Sequence, residues 1–162
     1  MKSNSAMKRL LQHYGESEGR LFPLSAKLIT LLASHIEERD GVFLFTTFDR
    51  SVPSSTSRFG DLTGCECAIN HVHLEDFVEP TNHKDRETLF KSGISFAYRL
   101  KEKLISTFPQ ERFRIILSYN LNDPPACVVR FHKVRAGENW IKLDDLEGYE
   151  SEAVMVMDVS SR

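Results

Sequence analysis

Apolar residues recur at helical spacing in three stretches of the chain. Met7, Leu10, Leu11 and Tyr14 predict a short amphipathic helix over residues 5–14, which depends on docking for its stability. Leu28, Leu31, Leu32 and Ile36 predict a second helix over 26–39, with Ser25 as N-cap and Gly41 as its stop. The clearest pattern is Leu89, Gly93, Phe96, Ala97, Leu100 and Leu104, widened by Phe90, Ile94 and Ile105. It predicts a long helix over 85–107. Acidic Asp85 and Glu87 near its start and Lys101 and Lys103 near its end suit the helix dipole, and Pro109 marks the stop.

Elsewhere the pattern has the period of a strand. Residues 42–48 are β-branched and aromatic, apolar on both faces at the start, and predict a covered strand. Residues 66–74 alternate, with Ala68, Asn70, Val72 and Leu74 on one face and Cys65, Cys67, Ile69, His71 and His73 on the other. Phe113, Ile115, Leu117 and Tyr119, then Cys127, Val129 and Phe131, alternate about a turn at residues 120–125 and predict a hairpin. Residues 153–159 predict a last strand. Glycine-bounded residues 15–19 and serine-rich residues 49–63 read as loops.

Strands that follow one another directly favour an antiparallel sheet over a doubly wound one. The expected architecture is a two-layer α+β domain. About five mainly antiparallel strands carry helices on one face. A length of 162 residues fits one domain, with residues 1–20 as a peripheral N-terminal helix and loop. In that arrangement Arg114, Arg130 and His132 lie on an exposed polar face, opposite buried Phe113, Ile115, Leu117, Val129 and Phe131.

Composition narrows the function. Twenty-one basic and 23 acidic residues give a formal charge of −2, which disfavours nucleic acid as a partner. No apolar run is long enough to cross a bilayer, and the first residues lack the apolar core of a signal peptide. Three cysteines make no disulfide framework, so a cytoplasmic location with free thiols is expected.

Candidate chemistry is sparse. His71 and His73, two apart on an expected strand, would point the same way about 6–7 Å apart, with His132 as a third metal ligand if the strands are neighbours. No HExxH, CxxC or acidic ligand set accompanies them, so no metal and no cofactor are expected. Cys65 and Cys67 are spaced CxC and read as incidental thiols. Ser54, Ser55 and Ser57 lack a nucleophile elbow, and there is no phosphate-binding glycine loop. The cationic set Arg114, Arg130 and His132 offers an alternative face for an anion or an acidic partner. The most distinctive segment is residues 140–152, which joins the single tryptophan, Trp140, and Tyr149 to Asp144, Asp145, Glu147, Glu150 and Glu152. Aromatic anchors inside a charged rim suit a partner-binding edge. The plainer reading is a short helix or loop that plugs one end of the sheet with Trp140 and Leu143.

The runs Phe113-Arg114-Ile115-Ile116-Leu117-Ser118-Tyr119 and Val129-Arg130-Phe131-His132-Lys133-Val134-Arg135, followed by Trp140 and Asp145-Leu146-Glu147-Gly148-Tyr149, resemble small proteins encoded in bacterial toxin–immunity neighbourhoods. The resemblance covers residues 85–160. It implies a small cytoplasmic α+β protein without catalytic motifs that binds one cognate toxin domain and blocks it. The expected function is therefore a non-enzymatic immunity protein. Its alternatives are a small metal- or phosphate-dependent enzyme using His71, His73 and His132, or a ligand- or RNA-binding domain using Arg114 and Arg130.

Overall fold

A computed structural model describes residues 1–14, 22–48, 59–78, 85–120, 122 and 124–161. Its main sheet has five antiparallel strands in the order β1-β7-β5-β6-β4. These are β1 (Lys2–Ser3), β4 (Val72–His73), β5 (Phe113–Asn120), β6 (Cys127–Lys133) and β7 (Glu152–Val159). A separate hairpin pairs β2 (Ile36–Arg39) with β3 (Val42–Phe45). The helices are α1 (Ser5–Tyr14), α2 (Ala26–Ala33), α3 (Leu62–Ile69) and α4 (Asp85–Thr107). The α+β class and the antiparallel sheet are as the alternation predicted.

The inner face of the sheet holds the main core. Phe113, Ile115, Leu117, Val129 and Phe131 meet Leu89, Phe96, Leu100 and Leu104 of α4, with Met7 of α1 and Leu28 of α2. Phe43 and Phe45 dock the β2–β3 hairpin on this core edge-on, with ring centroids 5.0 Å from Phe113 and 5.4 Å from Phe131. Gly93 permits the close approach of α4. A Cβ there would collide with Cys127 Sγ and lie 3.3 Å from Leu117 Cδ1.

Two elements differ from the pattern reading. The helix expected over 26–39 ends at Ala33. Ser34 closes it by donating its N–H to Thr30 and Leu31 carbonyls and its hydroxyl to Leu31. Residues 36–39 are instead a strand, because Asp40 (φ 54°) and Gly41 (φ 81°) make a tight hairpin turn. That Asp-Gly pair is a hairpin signal, not a helix stop. The first four residues of the strand expected over 66–74 belong instead to α3, capped by Asp61, whose carboxylate accepts the Gly64 N–H at 2.6 Å. Only Val72 and His73 are strand. The expected strand over 42–48 ends at Phe45. Residues 15–19, and Ser54, Ser55 and Ser57, lie outside the described residues.

Helix α3 joins the hairpin to the sheet through two side chains one turn apart. Glu66 Oε1 accepts the Phe43 N–H at 2.8 Å, and its Oε2 accepts the Lys133 N–H at 2.7 Å. Asn70 accepts the Phe45 N–H and donates to the carbonyls of Phe43 and Phe131. Arg135 closes on Glu66 with two hydrogen bonds of 2.8 Å. Burial works against the Arg135 charge, but the Glu66 carboxylate outweighs it and raises the guanidinium pKa.

Candidate partner-binding surface

The outer face of the sheet is not a solvated polar face. Ile116, Val154 and Val156 form a second apolar patch there, and Leu146 seals it. Ile141, Leu143 and Tyr149 pack around its margin, so residues 140–149 cross the sheet as a strap. This corrects the expected exposure of Arg114, Arg130 and His132. His132 is buried. Its Nδ1–H donates to the Lys133 carbonyl at 2.8 Å, with the tautomer assigned from that bond. Burial lowers its pKa, and the neighbouring charges of Arg114 and Arg135 add to the effect. Arg114 is half-buried and ion-paired to Asp158 at 2.8 Å. Arg130 is half-buried, with its guanidinium carbon 5.9 Å from the centre of the Trp140 ring. Arg114 is thus engaged by Asp158 and Arg130 leans on Trp140, so neither projects freely from the face.

The strap is fastened by the N-terminal segment. Asn4 Oδ1 accepts the N–H groups of Met7 and Val154, both at 3.0 Å, and its amide donates to the Glu152 carbonyl at 2.8 Å. One residue therefore caps α1 and extends the β1–β7 ladder. The N–H and the hydroxyl of Ser5 both donate to Glu147 Oε1 at 2.9 Å, which sets a carboxylate at the start of α1. Within the strap, Asp145 accepts the Gly148 N–H at 3.1 Å, and the Tyr149 hydroxyl accepts the Lys142 N–H at 3.2 Å.

These bonds divide the expected binding residues into two groups. Glu147 and Asp145 shape the strap. Glu152 is a partly buried member of β7. Trp140, Asp144 and Glu150 face solvent, and Tyr149 is half-buried. Trp140 is 42% exposed, which is unusual for the largest apolar side chain in a chain with this much core. It borders a surface hollow of about 700 Å³, whose other walls come from Lys2 and residues 139–145 and 149. Leu146 was the missed anchor. Its apolar spacing with Ile141 and Leu143 was the available signal.

The rings of His71 and His73 meet edge-on, with centroids 5.1 Å apart, but His132 does not join them. His73 pairs in register with Val128, four residues from His132, which is about 13 Å along β6. His73 Nδ1 bonds Glu75 at 2.8 Å, and the Nδ1–H of His71 donates to the Ala68 carbonyl at 2.6 Å. Among the described residues, no group of three or more His, Cys, Asp or Glu is placed to hold a metal ion. The three thiols are buried, and burial raises the pKa of each.

The class is thus an antiparallel α+β domain whose outer sheet face is crossed by an aromatic–acidic strap. The chain belongs to the Uncharacterized protein PM0498 family, whose model matches residues 2–162. It is similar to the Uncharacterized protein PM0498 of Pasteurella multocida (strain Pm70), with 27% identity over 100 residues. That match covers 61% of this chain and 58% of the relative, so it spans less than two thirds of the relative's length. No solved structure matches. Among the described residues, no helix is long and apolar enough to cross a membrane.

Proposed function

We propose that the protein is a non-enzymatic binding protein of immunity type, acting in the cytoplasm to neutralise a cognate bacterial toxin domain. The strap supplies the contact surface. The observation that carries this reading is the half-exposed Trp140, held beside the hollow by a strap that is anchored at Leu146 and fastened through Asn4 and Ser5. A fixed aromatic anchor loses little conformational entropy on binding. Solvent-facing Asp144 and Glu150 add charges that steer a basic partner.

The test is co-purification with the product of the adjacent gene, followed by a binding titration. A stoichiometric complex is expected. Reversing Asp144 and Glu150 to lysine should slow association and weaken its salt dependence, while circular dichroism stays unchanged. Glu147 and Asp145 are left intact in this variant because they hold the strap. Unchanged affinity and salt dependence would remove the strap from the interface.

A further inference from the structure

We propose that the groove between α2, α4 and the turn after β4 binds a small apolar carboxylate, with the carboxylate at the N-terminus of α2 and the tail along Phe22 and Phe77. The groove lies on the helix side of the sheet, opposite the strap, so the proposal stands independently of the immunity reading.

The groove has a volume of about 370 Å³, within the range of small-molecule sites. Phe22, Pro23, Phe77 and Val78 supply its apolar wall. Ser25, Ala26 and Lys27, the cap and first two residues of α2, also line it. The Ser25 hydroxyl accepts the Leu28 N–H at 3.3 Å, and the Ser25 carbonyl accepts the Ile29 N–H at 3.0 Å. The N–H groups of Ala26 and Lys27 have no acceptor within the helix, which leaves the positive end of its dipole at the groove.

Ser92 on α4 points to a ligand by a separate route. It lines the groove and is only 2% exposed, yet its hydroxyl makes no hydrogen bond among the described residues. Buried hydroxyls are nearly always partnered. Ser95, three residues on, shows the ordinary case, since its Oγ accepts the Phe22 N–H at 2.7 Å. A carboxylate in the groove gives the Ser92 hydroxyl the acceptor that the fold does not.

Charge selects the same guest. Among the described residues, Lys27 is the one charged side chain on the groove, and no carboxylate lines it. The ammonium, the start of α2 and the Ser92 hydroxyl all favour a negative head. A cation would face the first two with no compensating group. An inorganic anion would gain nothing from the apolar wall, and a neutral apolar guest would leave the donors unused.

The test is an NMR titration of the ¹⁵N-labelled full chain with octanoate, octanol and inorganic phosphate. Octanoate is expected to shift the amides of Ala26, Lys27 and Ser92 saturably. Octanol should bind about tenfold more weakly for want of a charge, and phosphate should leave these amides unmoved. Lys27→Gln, at an exposed position, should weaken octanoate about two- to fivefold. Ser92→Ala should weaken it about three- to tenfold, with circular dichroism as the folding control. Octanol binding as tightly as octanoate would reduce the groove to an apolar crevice and overturn the assignment. Phosphate binding as tightly as octanoate would overturn the apolar tail. Octanoate shifts confined to other amides, or octanoate affinity unchanged in both variants, would overturn the site itself.

Discussion

The Glu66 carboxylate on α3 and the Arg135 guanidinium just beyond β6, 69 residues apart in the chain, meet in a two-point fork. Glu66 is fully buried and also accepts the N–H groups of Phe43 and Lys133. Arg135 in turn donates to the Gly41 carbonyl at 2.7 Å. The pair therefore differs from an isolated buried salt bridge, because its acid also replaces the hydrogen bonding of a missing strand. Removing Glu66 strands a guanidinium and two backbone donors.

Glu66→Leu is expected to cost more than Arg135→Leu, and about 3–5 kcal/mol. The double variant should not regain wild-type stability, since the Phe43 and Lys133 N–H groups stay unpaired. Urea denaturation of the two single variants and the double variant checks the order. Equal losses from the two single variants would contradict it.

Gly93→Ala tests the contact between α4 and β6. Alanine normally favours a helix, yet here its methyl group meets Cys127 Sγ and Leu117. A loss of about 1–3 kcal/mol is expected from overpacking. Adding Cys127→Ala should recover part of it, because the new methyl group then fills the vacated space. Thermal melts of the four chains in the cycle measure the coupling.

His132 makes stability depend on pH. Its pKa in the fold lies below the ordinary value of about 6.5, because burial disfavours the cation. The unfolded chain therefore binds a proton first as pH falls. Stability from this group is complete above about pH 6.5 and declines as pH drops toward the folded-state value. Arg114, Arg135 and Asp158 are the charges acting on it, and the first two oppose protonation. His132→Gln should flatten the change in denaturation midpoint between pH 7 and 5. An unchanged slope would show that the titration lies elsewhere.

The clasp between Ser5 and Glu147 predicts a local effect with little global cost. Glu147→Gln removes a charge from the start of α1, worth about 0.3–1 kcal/mol. Amide hydrogen exchange should quicken over residues 146–149 while the α4 amides stay protected. Equal change in both would mean that the strap opens only with the whole molecule.

Much of the architecture was legible because long periodic segments declare themselves. Helix α4 spans Asp85–Thr107, the range its apolar stripe predicted, and the β5–β6 hairpin follows its alternation. Helix α3 escaped for a physical reason. Thr63, Gly64, Cys65, Glu66, Cys67 and Ile69 are all buried, so the helix has no polar stripe to betray its period. Strand β2 escaped because Glu37, Glu38 and Arg39 suit a helix surface as well as a strand edge, and Asp40-Gly41 alone set the turn. The solvent-facing aromatic and acids of residues 140–152 were legible as a group. Their division into anchors and exposed contacts was not, because Asn4 and Ser5 fasten the segment across distances that no local pattern spans.

Where β4 ends, side chains take over the work of a neighbouring strand along β6. Glu75 accepts the Cys127 N–H, Val129 pairs with Val72, Asn70 donates to the Phe131 carbonyl, and Glu66 accepts the Lys133 N–H. Such bonds leave few main-chain groups on that margin for another copy to pair with. Self-association through this margin is thus blocked by the same side chains that fold it. Wearing away the half-buried Glu75 would first show itself as a loss of solubility in concentrated protein, ahead of any large fall in melting temperature.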